Sequence, residues 1–400
     1  MDEKNHIRLV NYVILGSGTA GVCAAEEIRK RDRTGKIMLV SEENDLPIYR
    51  PMLTKNLDIR DGMSEKIYIH SAKWYEEEKI DLRLGESVEA IDPKRHIVRT
   101  LKASISYDRL IIATGAECFI PPFDGSEKEG VITLRHLDDI KRLRERMKNA
   151  QKAVVIGGGV LGLEVANALL QRGIHVAVLE AAPQIIGRQA DADSAKVLRE
   201  KMTDLGVTCL EGVQIEEILG KGRAEAVKLK TGEIFPADFV IVSCGNHANI
   251  EIARAAGVQT ERAIVVNQFM ETNLPDVYAC GDCVQYDEIN FQLWAEASEQ
   301  GRIAGANAAG EKTAYQPQLF GLNLKGFGTT LFAIGDPGRQ NDRLYRIVEI
   351  TDEVKDSRET YWFLEDFLQG AVLIGRPDKI KYVTKAVTEH ERYKNCFEKT

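Results

Sequence analysis

The sequence predicts an α/β protein in which two parallel-sheet domains share one plan and a small α+β domain follows them. Two observations carry this. A short apolar run, a glycine-rich loop, a helical stretch and a second apolar run closed by an acid occur twice, opening at Tyr12 and again at Ala153. The ends of the two units also match: Asp108 leads through an apolar run to Gly115, and Asp238 leads through another to Gly245. Self-similarity at such a distance means two homologous domains, since solenoid repeats have periods of only about 20–50 residues.

In chain order, residues 12–15 read as a buried strand, Gly16-Ser17-Gly18-Thr19-Ala20-Gly21 as the turn after it, and 22–30 as a helix. The run 37–40 is the next strand, followed by Glu42 and Glu43. The second copy has a strand at 153–156, the loop Gly157-Gly158-Gly159-Val160-Leu161-Gly162, a helix at 163–171, a strand at 175–179 and then Glu180. Strands alternating with helices give parallel sheets covered on both faces. Residues 319–375 read as strands with a turn at Asp336-Pro337-Gly338, and 378–393 as a helix. The expected domains are 1–115 with 246–315, 116–245 between them, and 316–400.

Composition narrows the function. A net charge of −8 argues against nucleic acid or an anionic membrane as partner, because either needs a basic face. No apolar run reaches the roughly 18 residues that span a bilayer. The start Met1-Asp2-Glu3-Lys4 lacks the basic and apolar segments of a signal peptide, so a cytoplasmic location is expected. Seven scattered cysteines are poor material for a disulfide framework and fit a reducing compartment. No metal site is expected.

The two loops have the G-x-G-x-x-G form of a dinucleotide fingerprint. Its glycines allow a tight turn and close backbone approach to a pyrophosphate, which sits on the N–H groups of the following helix. Each copy has its strand, its helix and an acid about 20 residues on, placed to accept hydrogen bonds from ribose hydroxyls. Candidate cofactor-binding residues are therefore Gly16, Gly18, Thr19, Ala20, Gly21, Glu42 and Glu43 in the first copy. In the second they are Gly157, Gly159, Val160, Leu161, Gly162 and Glu180. Glu180 is followed by Ala181-Ala182-Pro183, with no arginine placed for a 2′-phosphate, so NADH is favoured over NADPH. Arg188 is the nearest cation downstream.

With these motifs the chain resembles the FAD-dependent pyridine-nucleotide-disulfide oxidoreductase superfamily over nearly its whole length. The likeness rests on both fingerprints, on the run from Tyr107 through Ala113, Thr114 and Gly115, and on Thr272-Asn273-Leu274-Pro275-Asp276-Val277-Tyr278-Ala279-Cys280-Gly281-Asp282. Pro47-Ile48-Tyr49-Arg50-Pro51-Met52-Leu53-Thr54-Lys55 is similar to the branch that holds NADH:rubredoxin oxidoreductases, ferredoxin reductases and the flavin portion of nitrite reductases. The resemblance implies a glutathione-reductase-like architecture of two Rossmann-like domains, with the NAD domain inserted in the FAD domain. It implies tightly bound FAD in the first domain, with Gly281 and Asp282 at the ribityl chain, and NADH in the second, with Gly245 at its mouth. Lys55 and Glu164 would form an ion pair beside the flavin N5; Glu164 alone also reads as an ordinary first-turn residue. Arg50 would approach FAD or form a surface salt bridge. Trp294 would lie near the flavin ring or be a plain core residue. A helix is expected to begin in the segment 290–294 and run to about Asn307, with Asn290 as a possible N-cap, and His247 is expected in a turn.

Relatives that reduce disulfides carry a C-x4-C pair near the first fingerprint, a C-x-x-C pair in the second domain, or one cysteine in the stretch 48–54. None of these is present. Cys280 and Cys283 have redox-like spacing but flank the ribityl aspartate, and Cys23 reads as a packed residue on the first helix. Electrons are therefore expected to pass from NADH to FAD as a hydride and leave directly for a small carrier such as rubredoxin or ferredoxin. Lys379, Lys381 and Lys385 could dock an acidic carrier or form a solvated helix face. Two alternatives stand: an NADH oxidase or diaphorase reducing oxygen, quinone or small acceptors, and a non-catalytic redox-sensing subunit of an electron-transfer complex. The expected state is a monomer or a homodimer.

Overall fold

Each fingerprint sheet has an interior strand made wholly of apolar residues. Ile37–Val40 and Phe239–Val242 are buried at every position, as strands covered by helices on both faces must be. The structure, a computed structural model, describes residues 8–57, 64–339 and 344–397. The start read for a missing signal peptide, Met1-Asp2-Glu3-Lys4, lies outside them. By compactness the chain divides into two units, Met1–Cys118 with Gly245–Gln318, and Phe119–Cys244 with Leu319–Thr400.

In the first unit the parallel strands lie in the order Ile80–Arg83, Ile37–Val40, Arg8–Leu15, Ser104–Ile112 and Val277–Ala279. An antiparallel pair, Val88–Asp92 and Ile97–Thr100, is attached through Ser104–Ile112. The helix Thr19–Arg31 follows the first strand after the turn 16–18, and it begins three residues earlier than the periodicity predicts. It packs against the helix Trp294–Ala308 through residues without bulk. A Cβ on Gly301 would come within 2.3 Å of the Ala20 carbonyl oxygen, and one on Gly305 within 2.4 Å of that of Ala24.

The second unit repeats the plan. Its parallel strands run in the order Thr208–Leu210, His175–Leu179, Lys152–Ile156, Phe239–Val242 and Val131–Ile132. A three-stranded antiparallel sheet, Ile215–Leu219, Ala226–Leu229 and Ile234–Pro236, takes the place of the attached pair. The helix Val160–Gln171 follows the fingerprint strand.

Residues 319–400, expected as a separate domain from 316, have their own five-stranded antiparallel sheet and their own core around Phe332, Tyr361 and Phe363. They nevertheless cluster with the second unit. The Asn167 side-chain oxygen accepts the Phe327 N–H at 2.8 Å, and Arg358 lies 3.5 Å from Asp193. The predicted terminal helix is two pieces, Ile380–Thr388 and Tyr393–Phe397. Val383, Ala386 and Val387 face the sheet at helical spacing. Among the described residues, no helix is long and apolar enough to cross a membrane.

Candidate functional site

Each fingerprint loop is held by three glycines that do different things. Gly16 and Gly157 have φ of +106° and +109°, a backbone state that favours glycine. A Cβ on Gly16 would stand 2.1 Å from the Ala113 carbonyl oxygen, and one on Gly157 2.2 Å from that of Ser243. The third glycines seal helix onto strand, since a Cβ on Gly21 would be 2.0 Å from the Gly16 oxygen and one on Gly162 2.1 Å from the Gly157 oxygen. The middle glycines are the opposite case. A Cβ on Gly18 or Gly159 would meet nothing within 4 Å.

That open space lies at the helix N-terminus, where Gly18 and Gly159 are the N-caps and no side chain caps the helix. Neither first turn contains an acid. Backbone N–H groups and the positive end of the helix dipole thus face a cradle that a pyrophosphate would fill. The residues present fit a dinucleotide in both units. Thr19 and Ala20 form the first turn of one helix, Val160 and an exposed Leu161 that of the other.

The two acids are arranged differently. Glu180 follows its strand directly, and its carboxylate accepts the N–H groups of Gly158 at 2.5 Å and Ala182 at 2.7 Å. Both of its oxygens are thus anchored, one to the fingerprint loop and one to the turn after the strand. Strand register puts Val40 opposite Leu15 and Leu179 opposite Ile156, so the first-unit residue equivalent to Glu180 is Ser41. Ser41 is buried and its hydroxyl meets that of Ser17 at 2.7 Å. The acids come one and two residues later: Glu43 pairs with Arg50 at 2.7 Å, while Glu42 is exposed. Both partners of the Glu43–Arg50 ion pair are half-buried, close behind the strand that precedes them.

Behind the first loop, Ala113 and Thr114 lead to Gly115 at φ +70°. Asn249, which sequence reasoning missed, locks this turn. Its amide donates to the Thr114 carbonyl at 3.0 Å, its N–H donates to the Gly115 carbonyl, and the Thr114 hydroxyl donates to its carbonyl at 2.7 Å. Gly245, at φ +94°, is the counterpart in sequence. His247 is exposed in the short strand Asn246–Ala248, opposite Glu117, and not in a turn.

Asp282 follows Gly281, whose φ is +86°. The next helix starts at Trp294 with Leu293 as its N-cap, so Asn290 is not the cap. A left-handed Gln292, φ +50°, delays the helix, and the Asn290 amide turns to the Asp282 and Val284 carbonyls instead. Trp294 is 37% exposed with its ring edge-on to Tyr49 at 4.5 Å, which rules out a plain core role. Lys55 is exposed on the helix Leu53–Asn56 of the first unit, and Glu164 is half-buried on the helix Val160–Gln171 of the second, past its first turn because the helix starts at Val160 and not at Leu163.

Cys280 and Cys283 are buried and form no disulfide, and the Cys283 thiol donates to the Cys280 carbonyl at 3.3 Å. Burial pushes the Cys280 thiol well above its usual range and raises that of Cys283. Burial likewise pushes Cys209 up to about 12 and Cys244 up to about 11. Such thiols hold their protons at neutral pH and are poor nucleophiles. Replacing Cys280 and Cys283 with serine is expected to leave NADH-driven turnover unchanged. Each buried hydroxyl should cost about 1 kcal/mol or more of stability; steady-state kinetics and thermal melts check both. In the carboxy-terminal region, the Lys379 ammonium is held by buried Glu359 at 2.6 Å, and Lys385 lies 3.8 Å from Glu389. Lys379 is thus the partner of a buried carboxylate, while Lys381 and Lys385 are exposed on the helix Ile380–Thr388.

Comparison with known proteins gives the family and the fold. Residues 10–301 match the model of the family described as pyridine nucleotide-disulphide oxidoreductase. The chain is 30% identical to the NADH-rubredoxin oxidoreductase of Clostridium acetobutylicum, over 97% of each protein. It is 32% identical to a nitrite reductase [NAD(P)H] of Bacillus subtilis, matching over 91% of its own residues but spanning only 45% of that relative. Among solved structures, a putidaredoxin reductase–putidaredoxin complex superposes with a TM-score of 0.87 at 26% identity, covering 95% of this chain and 93% of the other.

Proposed function

Because the chain belongs to the pyridine nucleotide-disulphide oxidoreductase family, we propose that it is a flavoprotein oxidoreductase that draws electrons from NADH and delivers them to a small electron-carrier protein of the rubredoxin or ferredoxin type. The observation that carries this reading is the pair of uncapped, open fingerprint cradles. FAD belongs to the first unit, held by Gly16, Gly18, Gly21, Glu42 or Glu43, the 113–115 turn and Asp282. NADH belongs to the second, held by Gly157, Gly159, Gly162 and Glu180. When bound, FAD accepts an electron pair and can pass it on in single steps, which suits a one-electron carrier.

The chain's own residues bind and orient. The helix N-termini at Gly18 and Gly159 neutralise pyrophosphate charge. Glu180, anchored by two N–H groups, reads the adenosine ribose and disfavours a 2′-phosphate through like charge. Lys55 and Glu164 are the charged candidates for the reacting ends of the cofactors in their respective units. The absence of a relay cysteine from the stretch 48–54, and the deep burial of Cys280 and Cys283, support direct exit of electrons from the flavin.

The test is acceptor profiling of the holoenzyme with NADH and NADPH. NADH with rubredoxin or ferredoxin is expected to give the highest kcat/KM. Faster turnover with oxygen or a quinone would replace the carrier reading with that of an oxidase or diaphorase.

A further inference from the structure

The geometry points to Asn290 and Gln300 as positioning residues that clamp the Gly281–Asp282 segment from two sides and so set where the Asp282 carboxylate meets the FAD polyol chain. This rests on the assignment of FAD and Asp282 above.

Gln300 is 2% exposed in the second turn of the helix Trp294–Ala308. Its side-chain oxygen accepts the Gly281 N–H at 2.9 Å, and its amide donates to the Tyr315 hydroxyl at 3.3 Å. That hydroxyl donates to Glu296, whose other oxygen accepts the Gln318 N–H at 3.1 Å. Glu296 and Tyr315 are also buried. A polar chain this deep is costly to leave half-made, so it fixes the orientation of Gln300.

On the other side, the Asn290 amide donates to the Asp282 carbonyl at 2.9 Å and to the Val284 carbonyl at 2.6 Å. The Gly281 N–H is therefore held by the helix, and the Asp282 carbonyl by the loop before it. The same helix is seated on the first fingerprint. Gly301 lies against the Ala20 carbonyl, and a Cβ on Gly281 would stand 2.8 Å from the Ala20 Cβ. Ala20 is thus the point at which the pyrophosphate loop, the Asp282 turn and the helix are registered against one another. Two contacts to one cofactor, far apart in sequence, are set by one rigid element.

The test compares holoenzyme variants Asn290→Ala, Asn290→Asp, Gln300→Leu and Asp282→Ala by FAD dissociation constant and by the visible spectrum of the bound flavin. Asn290→Ala, which removes two part-buried hydrogen bonds, and Gln300→Leu, which removes a buried one, are each expected to weaken FAD binding about tenfold and to shift the flavin bands. Asn290→Asp keeps the size but turns an acceptor toward two carbonyls, so it should be at least as harmful as alanine. A purely packing role predicts wild-type behaviour for it, and that result overturns the inference. Should Gln300→Leu fail to fold, the two Asn290 variants decide. If Asp282→Ala loosens FAD while the Asn290 and Gln300 variants do not, this inference alone falls. If Asp282→Ala leaves FAD binding unchanged, the placement of Asp282 at FAD falls first.

Discussion

Replacing Gly159 with aspartate is expected to raise the KM for NADH about a hundredfold or more while the protein stays folded and retains FAD. The position has φ −75° and ψ 175°, which any residue adopts, and a Cβ there meets nothing within 4 Å. Aspartate is moreover a preferred N-cap, so the helix Val160–Gln171 should be as stable as before or slightly more so. The added carboxylate would occupy the space left for the pyrophosphate and repel it, and like charges brought together cost several kcal/mol, enough for about a hundredfold or more. Gly159→Ala adds volume without charge and should show a smaller rise. NADH titrations, a thermal melt and the flavin absorbance of the purified variant read the three expectations together. A wild-type KM in Gly159→Asp would mean that NADH does not lie on this loop.

The same substitution in the first unit should have a different outcome. Gly18→Asp is expected to give a folded but colourless protein, because the site it blocks holds the cofactor that stays bound. Gly18 has φ −64° and ψ 176°, and it also has open space where a Cβ would stand. The variant should therefore fold for the same steric reason as Gly159→Asp, yet retain less than about a tenth of the normal FAD through gel filtration, given the charge penalty. The ratio of visible to ultraviolet absorbance measures this. Full retention of FAD would mean that FAD does not lie on this loop. Gly16 and Gly21 would be poorer choices for this comparison, because a Cβ at either collides with backbone within 2.1 Å and a failure to fold would mask the effect on binding.

Much of the fold is legible in the sequence because buried parallel strands and fingerprint glycines are local signals. The strands Ile37–Val40 and His175–Leu179 stand where the apolar runs place them. The acid of the first unit is less legible. Counting from the glycines treats Glu42 and Glu43 as equivalents of Glu180, whereas counting from the strand end assigns that position to Ser41. The strand end is the physical reference, since backbone pairing fixes which residue emerges beside the loop: the Ser41 and Glu180 N–H groups bond to the carbonyls of Arg83 and Leu210 in the next strand. Asn249, Asn290 and Gln300 were hidden for another reason. Each bonds backbone well away from itself in the chain or across a turn, and an amide side chain gives no periodic signal of such a partner. Asn290 shows how the local rule fails: a residue type favoured at N-caps stands just ahead of a helix, but the helix begins later and the amide serves the Asp282 turn. The grouping of residues 319–400 with the second unit rests on long-range pairs such as Asn167 with Phe327, which composition does not reveal.

In the proposed reaction, electrons pass from NADH to FAD and leave without a thiol relay. Anaerobic titration of the holoenzyme with NADH tests it most directly. Both the flavin and a disulfide are two-electron centres, so a flavin acting alone should bleach fully with about one equivalent of NADH per FAD. Consumption of a second equivalent before the end point would reveal a hidden disulfide, and a flavin that does not bleach at all would contradict the account as a whole.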